Sequence, residues 1–229
     1  RAAHAPLLAL ALWSIRFIKC IGTIKEFLPL SRPRAFAEDR AIDAAMQHFW
    51  QHGYAATTVR DLGAAMGLGP ASLYNAFGTK RALFLRALER YVDQGLRPRV
   101  AKLAAMPDAM EAIAAFLGDI VARSLGDPQR RGCLLVNTAL EVAPHDKGIG
   151  TYVATRLAEV EDFLAGRVRV AQAQGRIEPQ RDAGDAGRML LATVMGLRVF
   201  ARVRPEPELL HGVTRQALAA LDPALEATR

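Results

Sequence analysis

Cysteine is scarce in this chain. Cys20 and Cys133 are the only two among 229 residues, too few for a disulfide framework, and a reducing cytoplasm is the simplest setting. Long apolar runs are missing as well. Residues 5–13 are apolar, but Arg16 and Lys19 interrupt the next stretch. The roughly 20 uninterrupted apolar residues of a membrane-spanning helix are therefore never reached. No small-residue cleavage site comes after Ile24, which argues against a secretion signal. Catalytic signatures are absent too: no Gly-Lys-Ser/Thr phosphate loop, no His-Glu-x-x-His pair and no nucleophile elbow. Neither an enzyme, nor a cofactor, nor a metal site is expected. From Val100 onward no strand-like alternation occurs, and beyond alanine richness there is no low-complexity segment or repeat. An all-α fold is expected.

What is present is apolar bulk and unevenly placed charge. Hydrophobic residues make up 51% of the chain, enough for a core and against disorder. The net charge is +7. Residues 100–229 carry sixteen basic and sixteen acidic side chains, so the whole excess lies in residues 1–99. A positive segment beside a neutral one suits a phosphate-facing part and a part with another task. A merely solvated surface is the bland alternative.

Residues 57–80, TTVRDLGAAMGLGPASLYNAFGTK, carry the most information. Thr58 with Asp61 three residues on makes a capping box. Val59, Leu62 and Ala65 or Met66 then recur at helical spacing. Gly67 suits a left-handed helix end, and Leu68 anchors a turn. Gly69 and Pro70 open a second helix, with proline where a missing N–H costs nothing. Leu73 and Phe77 point inward, which leaves Ala71, Ser72, Tyr74 and Asn75 outward. Two short helices about a glycine turn match a helix-turn-helix, whose second helix lies in a DNA major groove.

The stretch ATTVRDLGAAMGLGPASLYNAFGTKRALF resembles the DNA-binding core of the TetR family, the tetracycline-repressor-like bacterial regulators. The residues that carry the resemblance are Gly53-Tyr54, Thr57-Thr58, Met66-Gly67, Leu73-Tyr74, Phe77, Lys80 and Leu83-Phe84, all in register. The match runs from about Arg32 to Tyr91; beyond it only the helical layout and length agree. The resemblance implies an all-α protein with a DNA-binding head over residues 31–95 and an effector-binding and dimerisation domain over residues 96–229. It implies a cytoplasmic homodimer, joined through its last two helices, on a pseudo-palindromic double-stranded DNA operator. Gly187 and Gly196 would permit close helix approach there. Repression relieved by a small-molecule effector of unknown identity is the expected function, with the helix after Thr79 tilting to reset the spacing of two heads.

Ten residues are the candidates for DNA. Arg32 and Arg34 flank Pro33 in a basic arm, which enters a minor groove or remains a solvated tail. Thr58 offers its backbone N–H to a phosphate at a helix N-terminus. Gly69 and Pro70 begin the recognition helix; the family often has Ser or Thr where Gly69 stands, so one contact is missing. Ala71, Ser72 and Asn75 face base edges, with Asn75 suited to adenine and Ala71 to a thymine methyl. Tyr74 and Lys80 correspond to family positions that hold phosphates; the alternatives are a half-buried packing tyrosine and a solvated lysine.

Five residues are the candidates for an effector pocket: Phe116, Cys133, Asn137, Glu141 and Phe163. Cys133, Asn137 and Glu141 recur at every fourth position of a mostly apolar helix, a polar stripe that can face a cavity. Cys133 is an inert buried thiol, a redox sensor or a soft-metal ligand. Glu141 is expected to pair with an arginine.

Helix-breaking residues set the other boundaries. Helices are expected over residues 38–52, with Ala37 at the cap, and over 80–94, ended or bent by Gly95 and Pro98. Others cover 108–125, 132–142, 146–174, 182–203 and 208–221. Residues 1–30 are read as a non-native or disordered extension, translated upstream sequence with Leu30 as an alternative start. A genuine extension and a membrane-tethered sensor using residues 5–24 are the other readings. A helical enzyme or binding protein with an incidental helix-turn-helix is the remaining class.

Overall fold

The structure is a computed structural model that describes residues 34–222. The readings of residues 1–30, Leu30 and Arg32 fall outside the described residues, and Arg34 is placed only as the first residue of a helix. Packing divides the chain into Arg1–Asp39 and Arg40–Arg229, and the cores, caps and clefts all lie in the second. Every regular element among the described residues is helical. None of these helices is long and apolar enough to cross a membrane.

In order, the helices are α1 (Arg34–His52), α2 (Val59–Met66), α3 (Pro70–Phe77), α4 (Lys80–Tyr91), α5 (Arg97–Ala104), α6 (Ala109–Leu125), α7 (Leu134–Glu141), α8 (Lys147–Ala173), α9 (Ala183–Val203) and α10 (Pro207–Ala219). Two boundaries differ most from expectation. α1 begins at Arg34 rather than residue 38, so Ala37 lies inside it and is no cap. Ala, Arg and Glu are all good helix formers, and nothing in residues 34–38 stops propagation. The second difference concerns Gly95 and Pro98. They do not end the helix after Thr79. A π-helical turn, Val92–Leu96, carries α4 directly into α5. The wider turn absorbs the glycine and places Pro98 near the start of the next α segment, where its missing N–H is tolerated. Arg97 binds both Glu89 and Asp93 across this turn.

Caps explain most remaining ends. Thr79, Asp108, Asp146 and Asp182 each accept a backbone N–H from the residue three positions on, satisfying helix N-termini as their residue types predict. Arg167 is buried and donates to the carbonyls of Ala104 and Met106 at the end of α5. A guanidinium there meets carbonyls left free by the helix end.

Apolar side chains form two cores. One gathers Ile42, Ala45, Met46 and Phe49 of α1 with Leu62, Leu73, Phe77, Leu83, Phe84 and Leu88. It also takes in Leu134, Leu135 and Val142 around α7 with Ile149 and Val153 of α8. The first four helices are thus sealed by residues far along the chain. The other core joins α6, α8, α9 and α10 through Ile113, Phe116, Leu117, Leu164, Leu190, Leu197 and Leu210. Gly187 serves this core: a Cβ there would come within 2.9 Å of the Ala165 Cβ on α8. Its close approach is therefore made within the chain, whereas Gly196 has nothing within 4 Å.

Candidate nucleic-acid interface and effector pocket

The local sequence builds the helix-turn-helix with little help. Thr58 and Asp61 form the complete capping box: Asp61 N–H donates to Thr58 Oγ1 at 3.2 Å, and Thr58 N–H donates to Asp61 Oδ2 at 2.9 Å. Hydrogen bonds from Thr58 hold the Asp61 carboxyl below the usual carboxylate range. Gly67 takes φ 66°, the left-handed end expected of it. Met66, not Ala65, is the inward residue after Leu62. A further glycine proves necessary. Gly63 is buried, and a Cβ on it would lie 2.8 Å from the carbonyl oxygen of Leu68. Any side chain at Gly63 would force the turn off α2. Its place within a helical pattern gave only the weak hint that a mid-helix glycine has a packing reason.

The outer face of α3 is open. Leu73 and Phe77 are buried and lock the helix to its scaffold, while Ala71, Ser72, Tyr74 and Asn75 are exposed. Tyr74 is 52% exposed. Gly69 caps the helix without a side-chain bond, and Pro70 stands at its first position. Nothing lies within 4 Å of a Cβ at Gly69, so the serine or threonine frequent in the family would fit. Arg60, exposed on the first turn of α2, is a basic side chain that motif reading passed over.

The expectation for the Thr58 N–H is corrected. That donor is engaged by the Asp61 carboxylate, which also places a negative charge where a phosphate would approach. Lys80 is neither fully solvated nor free of packing. Its ammonium sits 4.4 Å from the centre of the Tyr54 ring. Burial lowers its pKa, and the Glu141 carboxylate opposes the shift.

The five effector candidates do not share one cavity. Phe116 and Cys133 line a chamber of about 40 Å³ among Leu96, Leu135, Leu157 and Val160. Tyr91 donates its hydroxyl to Cys133 Sγ at 3.5 Å, and burial pushes the Tyr91 pKa up. Phe163 stands behind Phe116, ring centres 5.5 Å apart and edge to face, rather than on the chamber wall. Asn137 and Glu141 border a separate cleft against the end of α1. The stripe splits because Cys133 is the extended cap of α7 and not part of its helix, so fourfold spacing does not hold from Cys133 onward. Asn137 donates to the Arg131 carbonyl at 2.8 Å and accepts from Arg202 at 3.0 Å.

Glu141 has a partner other than an arginine. Its carboxylate accepts the backbone N–H of Ala55 at 2.7 Å and of Tyr54 at 3.2 Å, in the loop that leads into α2. Nearby, Asp146 at the start of α8 receives Nε of Arg81 at 2.6 Å. The Arg81 guanidinium holds the Asp146 carboxyl well below the usual carboxylate range. Two acidic residues around the α7–α8 turn thus grip both ends of the helix-turn-helix. Sequence spacing gave no sign of these pairings, which span 65 to 87 positions. Among the described residues no group of three or more His, Cys, Asp or Glu could hold a metal ion.

Comparison with known proteins agrees with this geometry. A model of the bacterial regulatory proteins of the tetR family matches residues 41–87, and one of the tetracyclin repressor-like C-terminal domain matches residues 109–217. The transcriptional repressor ComR of Escherichia coli (strain K12) is 32% identical over 172 residues, 75% of this chain and 82% of that protein. An uncharacterized regulator of Bacillus subtilis (strain 168), YezE, is 30% identical over 84% of this chain and all of its own length. Among solved structures, a cysteine mutant of the TetR family regulator CifR complexed with 26-base-pair operator DNA has a TM-score of 0.74 and 35% identity. That alignment covers 82% of this chain and 99% of the other.

Proposed function

Since the chain belongs to the TetR family and is a DNA-binding transcription regulator, not an enzyme, we propose that it is a cytoplasmic repressor released from its operator by a small molecule. The observation that carries this reading is the outward face of α3. Four small or polar side chains project from a helix whose other face is locked by Leu73 and Phe77. Ala71, Ser72 and Asn75 read base edges in the major groove, and Tyr74 and Lys80 hold phosphates. The exposed Arg60 joins them as a phosphate contact, in place of the engaged Thr58 N–H. Residues 31–95 form the DNA-binding part, and residues 96–229 respond to the effector and pair two copies.

One such head makes few phosphate contacts, so two act together on a two-fold site. α9 and α10 form the contact between copies. In support, Val199 and Val203 on α9 are 41% and 66% exposed, with Leu191 and Phe200 only partly covered. Ligand binding shifts the balance between head spacings, and a coupling of about 1–3 kcal/mol suffices.

The test begins with selection of bound duplexes from a random pool, followed by titration at several salt concentrations. Selected sites should be two-fold symmetric. Tyr74→Ala and Lys80→Ala should weaken selected and random duplexes alike, while Asn75→Ala should erode preference at one base position. Unchanged preference after Asn75→Ala, or a strictly monomeric complex, would refute the assignment.

A further inference from the structure

An opening larger than the apolar chamber lies elsewhere in the described residues. It is a cleft of about 410 Å³ between α1, the π-helical turn, the loop before α7, and α9. Five arginines line it: Arg99, Arg123, Arg130, Arg131 and Arg198. The carboxylates that face them are Asp119, shared by Arg99 and Arg123, and Asp127, bound to Arg131. The cleft therefore holds an excess of positive charge.

Arg198 is the unusual member. It is only 8% exposed, and its hydrogen bond is to the Ser124 hydroxyl, at 3.3 Å. No carboxylate partners it among the described residues. Burying a cation without an anion is costly, and such groups pair or bind a ligand charge instead. Arg198, Arg99 and Tyr91 border both the cleft and the apolar chamber beyond. Another part of the lining is aromatic. The Arg131 guanidinium stacks 4.2 Å from the centre of the Trp50 ring and is held there by Asp127 and Gln47. Trp50 Nε1 is buried without a hydrogen-bond partner. Arg130, on the same rim, holds φ at 51°, an outlier for a residue with a side chain. Backbone strain of this kind gathers at binding sites.

We propose that this cleft binds a small aromatic carboxylate, with Arg198 receiving the carboxylate and the ring lying against the stacked Arg131–Trp50 pair. A guanidinium presents two parallel donors that match a carboxylate, and the volume suits a ligand of one or two rings. The consequence for DNA rests on the repressor reading above; the binding itself does not. Met46, Gln47 and Trp50 of α1 form one wall, so a ligand here touches a helix of the DNA-binding part directly. It can therefore bind one placement of α1 better than another, as any effector must.

The probe is 2-naphthoate, followed by the emission of Trp50 after Trp13→Phe removes the other tryptophan. Saturable binding is expected, at least tenfold tighter than the uncharged 2-naphthol and than inorganic phosphate. Arg198→Met should lose at least tenfold, and Arg198→Lys should lose less. Equal binding of naphthoate and naphthol, or no binding at all, would overturn the proposal. So would an unchanged affinity in a folded Arg198→Met protein. Should that variant fail to fold, Arg131→Gln and the naphthoate–naphthol comparison on the unaltered cleft decide, and equal affinities refute. Duplex titration then separates the two readings. Naphthoate that binds and weakens the duplex supports both. Naphthoate that binds without changing duplex affinity upholds the cleft and refutes its effector role.

Discussion

Replacing Gly53 by alanine tests whether the loop before α2 is held from the other half of the protein. Gly53 sits at φ 84°, a conformation that costs a residue with a side chain about 1–2 kcal/mol. Its Cβ would also lie 3.0 Å from Glu141 Oε2 and 3.2 Å from Oε1. The carboxylate is the flexible partner and would move, so the clash itself is small. The cost comes from the bonds that movement breaks, those to the N–H groups of Tyr54 and Ala55. Hydrogen bonds to a charged group are worth about 1.5–3 kcal/mol when buried. Glu141 is exposed, and water re-solvates the freed donors, so about 1 kcal/mol for the pair is the fitting magnitude. Gly53→Ala should therefore destabilise by about 2–3 kcal/mol, combining strain and lost bonds. Glu141→Ala alone should cost about 1 kcal/mol. The double variant should cost no more than Gly53→Ala alone, about 2–3 kcal/mol, because the same bonds cannot be lost twice. Urea unfolding of the four proteins measures the coupling directly. Additivity within about 0.5 kcal/mol would show that Gly53 and Glu141 do not share an interaction, and that α7 has no grip on the helix-turn-helix.

Three further outcomes are expected. Thr58→Ala removes the cap of α2 and should cost about 1 kcal/mol in urea unfolding, with Thr58→Ser restoring most of it; an unaffected midpoint would show that the box contributes nothing. Asp43 and Asp146 have lowered pKa values, chiefly through hydrogen bonds from Arg90 and Arg81. A carboxylate depressed in the folded state stabilises above its unfolded pKa, about 3.9, and that contribution fades as pH falls below it. Asp43→Asn and Asp146→Asn should thus be less stable than the parent at about pH 7, with a gap that begins to narrow below about pH 4 and closes only once pH falls beneath each carboxylate's depressed folded-state pKa, and a gap that does not narrow at all in acid would refute the ionic origin. Phe116→Ala empties a buried site on the wall of an existing chamber and should cost about 3–5 kcal/mol. The midpoint of thermal unfolding should fall by roughly 10 °C, whereas a shift of only a degree or two would place Phe116 outside the core.

Much of the DNA-binding stretch is legible in the residues alone. Its devices are local: a threonine reaches an aspartate three residues on, a glycine turns left-handed, a proline opens a helix. Side chains four apart must share a helix face, so Leu73 and Phe77 inward means Tyr74 and Asn75 outward. The effector candidates fare differently. A helical period groups Cys133, Asn137 and Glu141 only if it starts one residue too early, since Cys133 is the cap of α7. Gly95 and Pro98 look like breakers because residue propensity does not register a π turn that accommodates both.

Short-range hydrogen bonding and hydrophobic period thus determined, from the order of residues alone, that this chain is helical and that α3 offers an outward face. Only the tertiary structure decided which distant charges meet. Glu141 crosses 87 positions to Tyr54, Arg81 crosses 65 to Asp146, and five arginines from four segments converge on one cleft. Such pairings depend on how helices cross and on which polar groups are left over once the cores are packed, and no spacing along the chain encodes that.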